Sequence, residues 1–248
     1  MGGGAGEQVR IGCAGWSIPG RHADLFGGGD SVLARYASRF AAVEVNSSFY
    51  RPHRRGTWER WAASVPDGFR FSVKLPREIS HELGLRGAGP ALDRFLDQVG
   101  GLGGKLGGFL LQLPPSLAFD ARSAATFLAM FGRRSDAPLA CEPRHASWFT
   151  PQAEALLARH AASRVAADPP RVAGGDRPAA SQRWHYWRWH GSPRIYYSDY
   201  DEAALHALAG AVRQARGTGR QAWVIFDNTA HGFAVANAAR LQVLLGAS

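Results

Sequence analysis

The alternation of two kinds of segment along the chain is the strongest constraint on its fold. Short apolar stretches rich in β-branched or aromatic residues alternate with segments of helical periodicity. The eight apolar stretches are Val9–Ala14, Ala42–Val45, Phe69–Val73, Gly108–Leu113, Leu139–Cys141, Arg164–Ala167, His185–Trp189 and Ala222–Phe226. Strands that alternate with helices indicate a parallel sheet with right-handed crossovers. Eight such units in a chain of this length predict an α/β fold of the TIM-type (β/α)₈ barrel class.

The helical segments have apolar residues at three- and four-residue spacing. They are Ser31–Phe40, Pro90–Val99, Ser123–Phe131, Pro151–Ala162, Glu202–Ala215 and Phe233–Leu245. Asp30 and Ser31 are candidate caps for the first of them. The segment Pro169–Arg183 is rich in proline and glycine and has no apolar period, so a loop is expected to replace the helix between strands six and seven. We expect residues 9–246 to form a single barrel domain and residues 1–8 a disordered tail.

Hydrogen-bonding or ionisable residues follow nearly every predicted strand. In a barrel of this class the carboxyl ends of the strands meet at one face, and ligand sites collect there. The residues at these ends include Glu44, Asn46, Lys74, Gln112, Glu142, Arg144, His145, Asp168, Arg188, His190, Asp227 and Asn228. Because burying an isolated charge is expensive, such groups must pair with one another or bind a ligand.

Two chemical roles can be assigned to this set. Lys74, Arg144 and Arg188 are candidates for an anion clamp, since a guanidinium suits carboxylate or phosphate. The candidate acid–base groups are Glu44, Glu142, Asp168 and His190. Ion pairs such as Glu142 with Arg144, or Asp168 with Arg188, are the structural alternative to a catalytic role.

Seven motifs resemble the YecE-like family, which is named for a domain of unknown function, DUF72. They are IGCAGWS (Ile11–Ser17), VEVNSSFYR (Val43–Arg51), FRFSVKLP (Phe69–Pro76), KLGGFLLQLPPS (Lys105–Ser116), EPRHASW (Glu142–Trp148), YWRWHG (Tyr186–Gly191) and FDNTAHGFAVANA (Phe226–Ala238). They occur in order and cover nearly the whole chain. The resemblance implies a TIM-type barrel but no activity, because the family has no settled biochemical function.

The resemblance also implies which residues face the pocket. These are Trp16, Glu44, Asn46, Tyr50, Arg51, Lys74, Gln112, Glu142, Arg144, His145, Trp148, Arg188, His190 and Asn228. Two positions depart from the pattern of the family. Cys13 stands where a hydroxyl residue is common, and Asp227 stands where asparagine is. Asp227 would add a carboxylate to the pocket.

Composition bears on the compartment and on the partners. The two cysteines, Cys13 and Cys141, lie in apolar runs and do not suggest a disulfide framework, so a reducing, cytoplasmic environment is expected. No apolar run is long enough to span a bilayer, and no membrane association is predicted. The formal net charge is +9, and arginine supplies 27 of the 29 basic residues. Because these arginines are scattered, nucleic-acid binding stays an alternative that charge alone does not establish.

Three functions remain open from the sequence. The first is a hydrolase or lyase with acid–base chemistry on a small molecule that carries phosphate or carboxylate. The second is a nucleic-acid binding or processing protein of the endonuclease-like barrel type, and the third is a barrel that binds a ligand without turnover. No cofactor is predicted. The acidic and histidine residues at the strand ends could together hold a divalent metal, but the nearby arginines and Lys74 would repel a cation. The oligomeric state is not predicted.

Overall fold

A computed structural model describes residues 9–179, 184–216 and 221–246. The predicted tail, residues 1–8, lies outside the described residues. These ranges contain nine strands: β1 (Val9–Cys13), β2 (Ala42–Val45), β3 (Arg70–Lys74), β4 (Leu106–Gln112), β5 (Leu139–Glu142), β6 (Ala162–Arg164), β7 (Ala166–Asp168), β8 (Trp184–Trp189) and β9 (Gln221–Phe226). The sixth predicted strand is divided at Val165, which accounts for nine strands in place of eight.

The strands form two parallel sheets. One has the order β2-β3-β4-β5-β6, and the other has the order β1-β9-β8-β7. A single bridge between Ala14 and Glu44 joins β1 to β2. At the other seam the chain runs from β6 to β7 through Val165, whose N–H donates to Cys141 O at 2.8 Å. The prediction of an α/β fold with parallel strands is confirmed. The ladders are not continuous around the whole structure, so the closed barrel stays a prediction.

In the part of the chain that the structure describes, eight α-helices lie between the strands or follow the last one. They are α1 (Val32–Ala37), α2 (Ser47–Tyr50), α3 (Arg55–Ala63), α4 (Gly89–Val99), α5 (Ala121–Gly132), α6 (Pro151–Arg159), α7 (Glu202–Arg216) and α8 (Phe233–Leu245). Ser31 caps α1 by accepting the Ala34 N–H at 3.0 Å, as expected for a capping serine. None of these helices, within the described ranges, is long and apolar enough to cross a bilayer.

Three elements between β2 and α4 did not follow from the sequence. They are α2, α3 and a π-helical turn at Glu78–Glu82. Pro52 and Gly56 interrupt the apolar pattern before and within α3, and this hid the helix. The expected loop after β7 is present: residues 169–179 contain bends and turns but no helix, and residues 180–183 lie outside the described residues.

Large side chains from both sheets pack into one buried cluster. Trp184, Tyr186 and Trp223 pack there with smaller apolar residues, and all three are fully buried. Glycines in β4 make room for the indoles. A Cβ on Gly107 would lie 2.6 Å from the Trp223 ring, and one on Gly108 would lie 2.6 Å from the Trp184 ring. The interior is therefore a packed core and not a pore.

A polar layer lies directly above this apolar interior. Successive inward positions on a strand are two residues apart. On four strands, and at the end of a fifth, an inward residue of this cluster is followed, two residues later, by a charged or amide side chain. The pairs are Ala42 and Glu44, Leu110 and Gln112, Ala140 and Glu142, Tyr186 and Arg188, and Ile225 and Asp227. The period of the strands thus brings residues from distant parts of the chain to one level.

Candidate functional site

Seven polar side chains at the carboxyl ends of the strands are hydrogen-bonded into one cluster, which we call the strand-end network. Its members are Glu44, Lys74, Gln112, Glu142, Arg188, His190 and Asp227, and each is at most 6% exposed. They come from β2, β3, β4, β5, β8 and the residues that follow β8 and β9. The structure therefore brings these seven side chains together at the carboxyl ends of the strands.

Arg188 lies at the centre of the network. Its guanidinium donates to both oxygens of Glu44 at 2.8–3.1 Å. It also donates to Glu142 Oε2 at 3.2 Å and lies 3.0 Å from Asp227 Oδ2. These charges are buried, and an isolated buried charge loses its hydration at a large cost in free energy. The attraction between the guanidinium and the three carboxylates offsets that cost.

Glu142 accepts hydrogen bonds from four side chains. One oxygen accepts from Gln112 Nε2 at 3.0 Å and from Arg188. The other oxygen lies 3.1 Å from His190 Nε2 and 3.4 Å from the Arg144 guanidinium. Burial alone would raise the pKa of Glu142, but His190 and Arg188 outweigh burial and hold the pKa well below its usual range. Glu142 is therefore an ionised anchor whose lone pairs are already used.

His190 bridges two carboxylates. Its Nδ1 lies 3.0 Å from Asp227 Oδ2, and its Nε2 faces Glu142. Burial favours the neutral ring, but Glu142 and the hydrogen bond to Asp227 prevail and raise the pKa of His190. Burial likewise opposes ionisation of Asp227, while Arg188 and His190 lower its pKa. An imidazolium that donates both protons to these carboxylates matches this arrangement.

Lys74 is the least compensated charge of the network. Its Nζ donates to Gln112 Oε1 at 2.8 Å and lies 4.1 Å from the centre of the Phe49 ring. Within the described part of the chain no carboxylate lies at ion-pair distance from it. Burial, followed by the nearby Arg188 charge, lowers the pKa of Lys74 to about 8. Lys74 therefore loses its proton at a lower pH than an ordinary lysine does.

Arg144 and a small cavity lie at the outer side of the network. The Arg144 guanidinium contacts Glu142 only at 3.4 Å, and 16% of its side chain is exposed. A cavity of about 10 Å³ is lined by Glu142, Arg144 and His190 together with residues of the loops that follow β5, β7 and β8. This volume holds one water molecule. The structure therefore presents a site covered by loops and not an open cleft, and a ligand larger than water requires those loops to move.

Other predicted ligand residues lie around the network and not in it. Trp16 packs its ring against Trp61 at 5.0 Å. Trp148 is buried and donates its indole N–H to Leu117 O at 2.9 Å. Asn46 directly precedes α2. The Nδ1 atom of His145 lies 2.8 Å from Ser147 Oγ. Tyr50 and Arg51 are exposed at the end of α2. Tyr50 and Arg51 line a separate groove of about 480 Å³.

Asp168 and Asn228 hold loops in place. Asp168 Oδ1 accepts from the Tyr200 hydroxyl at 2.8 Å, and partial burial raises the pKa of Asp168. Asn228 Nδ2 donates to Ser198 O at 3.0 Å and to Asn237 Oδ1 at 2.8 Å. Tyr200 and Ser198 both belong to the segment after β8. The position of Asp168 at a strand end is as predicted, but it does not bond to the network.

Residues that sequence reasoning missed complete the site. The Tyr186 hydroxyl lies 2.8 Å from Glu44 Oε2 and 2.9 Å from Ser72 Oγ, beneath the network. Tyr196, whose φ is +72°, places its ring 6.0 Å from that of His190. The spacing of two residues between Tyr186 and Arg188 was the available signal, because it places both on one face. The approach of Tyr196 to His190 depends on the fold of the loop after β8, which strand periodicity does not predict.

The geometry of the acidic and histidine residues bears on metal binding. Among residues 9–179, 184–216 and 221–246, no group of three or more histidine, cysteine, aspartate or glutamate side chains could hold a metal ion. The carboxylates of the network are directed at Arg188 and His190. Their oxygens are therefore already engaged by protein cations.

Comparisons with known proteins give relatives of similar sequence and fold. The UPF0759 protein YecE of Escherichia coli K12 is 34% identical over 107 residues, which are 43% of this chain and 38% of that protein. The chain thus matches less than half the length of that relative. The UPF0759 protein YunF of Bacillus subtilis is 23% identical over 270 aligned positions that cover 96% of this chain and 95% of that protein.

Crystal structures of two proteins have the same fold. A DUF72 family protein from Enterococcus faecalis V583 superposes with a TM-score of 0.82 at 24% identity, and covers 97% of this chain and 96% of its own. One from Thermotoga maritima MSB8 superposes with a TM-score of 0.78 at 23% identity, covering 96% and 99%. The family model described as "Protein of unknown function DUF72" matches residues 10–248. The chain belongs to the DUF72 family.

Proposed function

We propose that the protein binds a small anionic molecule, bearing phosphate or carboxylate, above the strand-end network. We also propose that the two parallel sheets act as one TIM-type barrel. The Ala14–Glu44 bridge and the run of chain through Val165 support this arrangement, since they join the sheets at both seams. In such a barrel the network occupies the face at which ligands bind.

The balance of charge in and beside the network is the observation that carries the proposal. Three side chains that are cationic at neutral pH, and one histidine whose pKa is raised, face three carboxylates there. The cations are Lys74, Arg144 and Arg188, the histidine is His190, and the carboxylates are Glu44, Glu142 and Asp227. Arg188 and His190 are directed at the carboxylates, which leaves Lys74 and Arg144 with unused donors. A ligand anion would supply the missing negative charge.

The same geometry points to Lys74 as the group that would transfer a proton. Glu44 and Glu142 accept several hydrogen bonds each, so protonating either would break an ion pair with Arg188. The pKa of Lys74, at about 8, lies near neutral, where an acid–base group is most effective. We therefore propose Lys74 as the acid–base residue of a hydrolase or lyase, with Arg144 holding the anion. Glu44, Glu142 and His190 would then keep Arg188 and Lys74 in position.

A nucleic-acid function has less support from the distribution of charge. In the described loops that follow the strands, nine arginines are matched by nine acidic residues. The excess positive charge of the chain is therefore not concentrated on the face where the network lies. Binding to a phosphate backbone requires a patch of positive charge.

The proposal can be tested with malonate and inorganic phosphate as anion probes in calorimetric titrations at pH 7. Arg144→Gln and Lys74→Met should each weaken binding about tenfold, because a hydrogen bond to a charged group contributes ~1.5–3 kcal/mol. Malonate keeps both charges above pH 7. Its affinity for the unsubstituted protein should therefore fall as the pH rises through about 8, where Lys74 loses its proton, and K74M should lack this dependence.

Arg177→Gln is the matched control, since Arg177 is an exposed arginine of the loop after β7. It should bind both probes as the unsubstituted protein does. Equal affinities for R144Q, K74M and R177Q would reject the site. Incubation with phosphate monoesters and hydroxy acids, followed by NMR, then separates catalysis from binding alone: turnover should occur and should be lost in K74M.

A further inference from the structure

A groove of about 480 Å³ lies beside α2, α3, α4 and the π-helical turn Glu78–Glu82. We call it the helical groove. We propose that it is a second binding site, which takes a planar aromatic molecule carrying one anionic group. This inference does not depend on the function proposed for the strand-end network, because the two sites are lined by different charged residues.

The size and walls of the helical groove suit a small molecule. Its volume lies within the range of about 300–1,000 Å³ that is usual for ligand pockets. Phe49, Trp58 and Phe95 form aromatic walls, and each is buried by the packing behind it. Pro52 and Pro76 add rigid apolar surface. Such walls prefer a flat apolar ring to a flexible polar chain.

Tyr50 provides an open aromatic surface at the edge of the groove. It is 77% exposed, the largest exposure among the large hydrophobic side chains of the described residues. Its ring lies 5.0 Å from that of Phe49, at an interplanar angle of 87°. The two rings thus form a corner. A planar ligand can stack on one ring and meet the edge of the other, which are both favoured aromatic arrangements.

The charges around the helical groove favour an anion. Arg77 pairs with Glu82 at 2.7 Å, and Arg94 pairs with Glu78 at 2.9 Å. Arg51 also lines the groove, and its guanidinium has no hydrogen bond or ion pair among the described residues. One arginine is therefore in excess, and its planar donors suit a carboxylate or phosphate.

Two local features fit a binding role. His53, which lines the groove, has its pKa lowered by partial burial and then by Arg51, so it adds no charge near neutral pH. The two glutamates of the groove stand at the first and last positions of the π-helical turn. Turns of this kind are rare and are frequent at functional sites.

The helical groove and the strand-end network are distinct but adjacent. Phe49 lines the groove, and the Lys74 ammonium lies 4.1 Å from the centre of its ring. None of the carboxylates of the network lines the groove. The affinity for an aromatic anion in the groove is therefore expected to depend on Arg51 and Tyr50. A substitution of Arg144 should leave that affinity unchanged.

Three probes separate the contribution of the ring from that of the charge: 2-naphthoate, the uncharged 2-naphthamide and the non-aromatic cyclohexanecarboxylate. Binding is measured by saturation-transfer NMR and calorimetry with the full chain. We expect 2-naphthoate to bind about tenfold more tightly than 2-naphthamide, as for one charge-assisted contact. Cyclohexanecarboxylate should bind more weakly than 2-naphthoate, because it cannot stack.

Four variants locate the site. Arg51→Gln should reduce the affinity for 2-naphthoate to that for 2-naphthamide. Tyr50→Ala should lower the affinity for both aromatic probes. Arg122→Gln, at an exposed arginine of α5, is the matched control and should change neither. Arg144→Gln should also leave 2-naphthoate binding intact. Both Tyr50 and Arg51 are exposed, so thermal melting should show both variants folded as the unsubstituted protein is.

Three results would overturn the proposal. The first is no saturable binding of 2-naphthoate at about millimolar concentration. The second is binding that neither Y50A nor R51Q weakens. The third is binding that R144Q abolishes while R51Q leaves it unchanged, which would place the anion above the strand-end network. The malonate titrations test that network separately, so the failure of one site is distinguishable from the failure of the other.

Discussion

The strand-end network and the helical groove share the Phe49 ring but use charge in opposite ways. In the network, Arg188 is 1% exposed and each carboxylate around it is buried. In the groove, the ion pairs Arg77–Glu82 and Arg94–Glu78 join side chains that are each about half exposed. Buried charges must be compensated by the protein itself, whereas exposed charges are compensated by water.

This difference shows where a ligand can act. A charged residue at a strand end is not available to a ligand merely because it lies on the functional face. Glu142 and Arg188 have their hydrogen-bonding capacity filled by other members of the network. The groups with unused donors are Lys74 and Arg144 near the network, and Arg51 in the groove.

The largest difference in stability is expected when one arginine is replaced in each region. Arg188→Gln removes the cation from three buried carboxylates, and we expect a loss of ~3–5 kcal/mol in the free energy of unfolding. Arg51→Gln removes an exposed arginine without an ion pair, and the change should lie within ~0.5 kcal/mol. Urea denaturation of both variants measures the two values. Similar losses would show that the network is not held by buried charge.

A smaller effect is expected from the matched pair of tyrosines. Tyr186→Phe removes the hydroxyl that lies 2.8 Å from Glu44 Oε2, and leaves that buried oxygen with one hydrogen bond fewer. The expected loss is ~1.5–3 kcal/mol, as for a hydrogen bond to a charged group. Tyr50→Phe alters an exposed ring and should leave the unfolding free energy unchanged. A neutral result for Y186F would mean that Arg188 satisfies Glu44 without Tyr186.

The sequence predicted the network better than the groove, for a physical reason. The period of two along each strand determines which residues face inward, and parallel strands bring their ends to one level. Glu44, Lys74, Glu142, Arg188 and Asp227 could therefore be placed together without coordinates. The ion pairs among them could not be predicted. Which carboxylate contacts Arg188 depends on the register between strands and on side-chain conformation.

The groove depends on packing that no local pattern encodes. Tyr50 and Arg51 were expected in the same pocket as the network, but α2 ends there and directs them to the groove between helices. The π-helical turn Glu78–Glu82 and α3 had no clear periodic signal. Predictions from the sequence are thus most accurate where strand geometry positions a residue, and least accurate where loops do.

One histidine in each region, His190 in the network and His53 in the groove, allows a test of the same contrast by pH. The expected change in unfolding free energy with pH is smaller than the losses predicted for R188Q and Y186F. Because its carboxylates raise the pKa of His190 in the folded state, His190 contributes stability that is complete below about pH 6.5 and is lost as the pH rises through the raised value. Burial and Arg51 lower the pKa of His53, so His53 reduces stability as the pH falls below about 6.5.

Unfolding free energies of His190→Gln and His53→Gln, each compared with the unsubstituted protein from pH 5 to pH 9, should therefore have opposite slopes. The penalty of H190Q should be greatest at acid pH, and that of H53Q should be least there. Slopes of the same sign would show that His190 is not held as an imidazolium between Glu142 and Asp227.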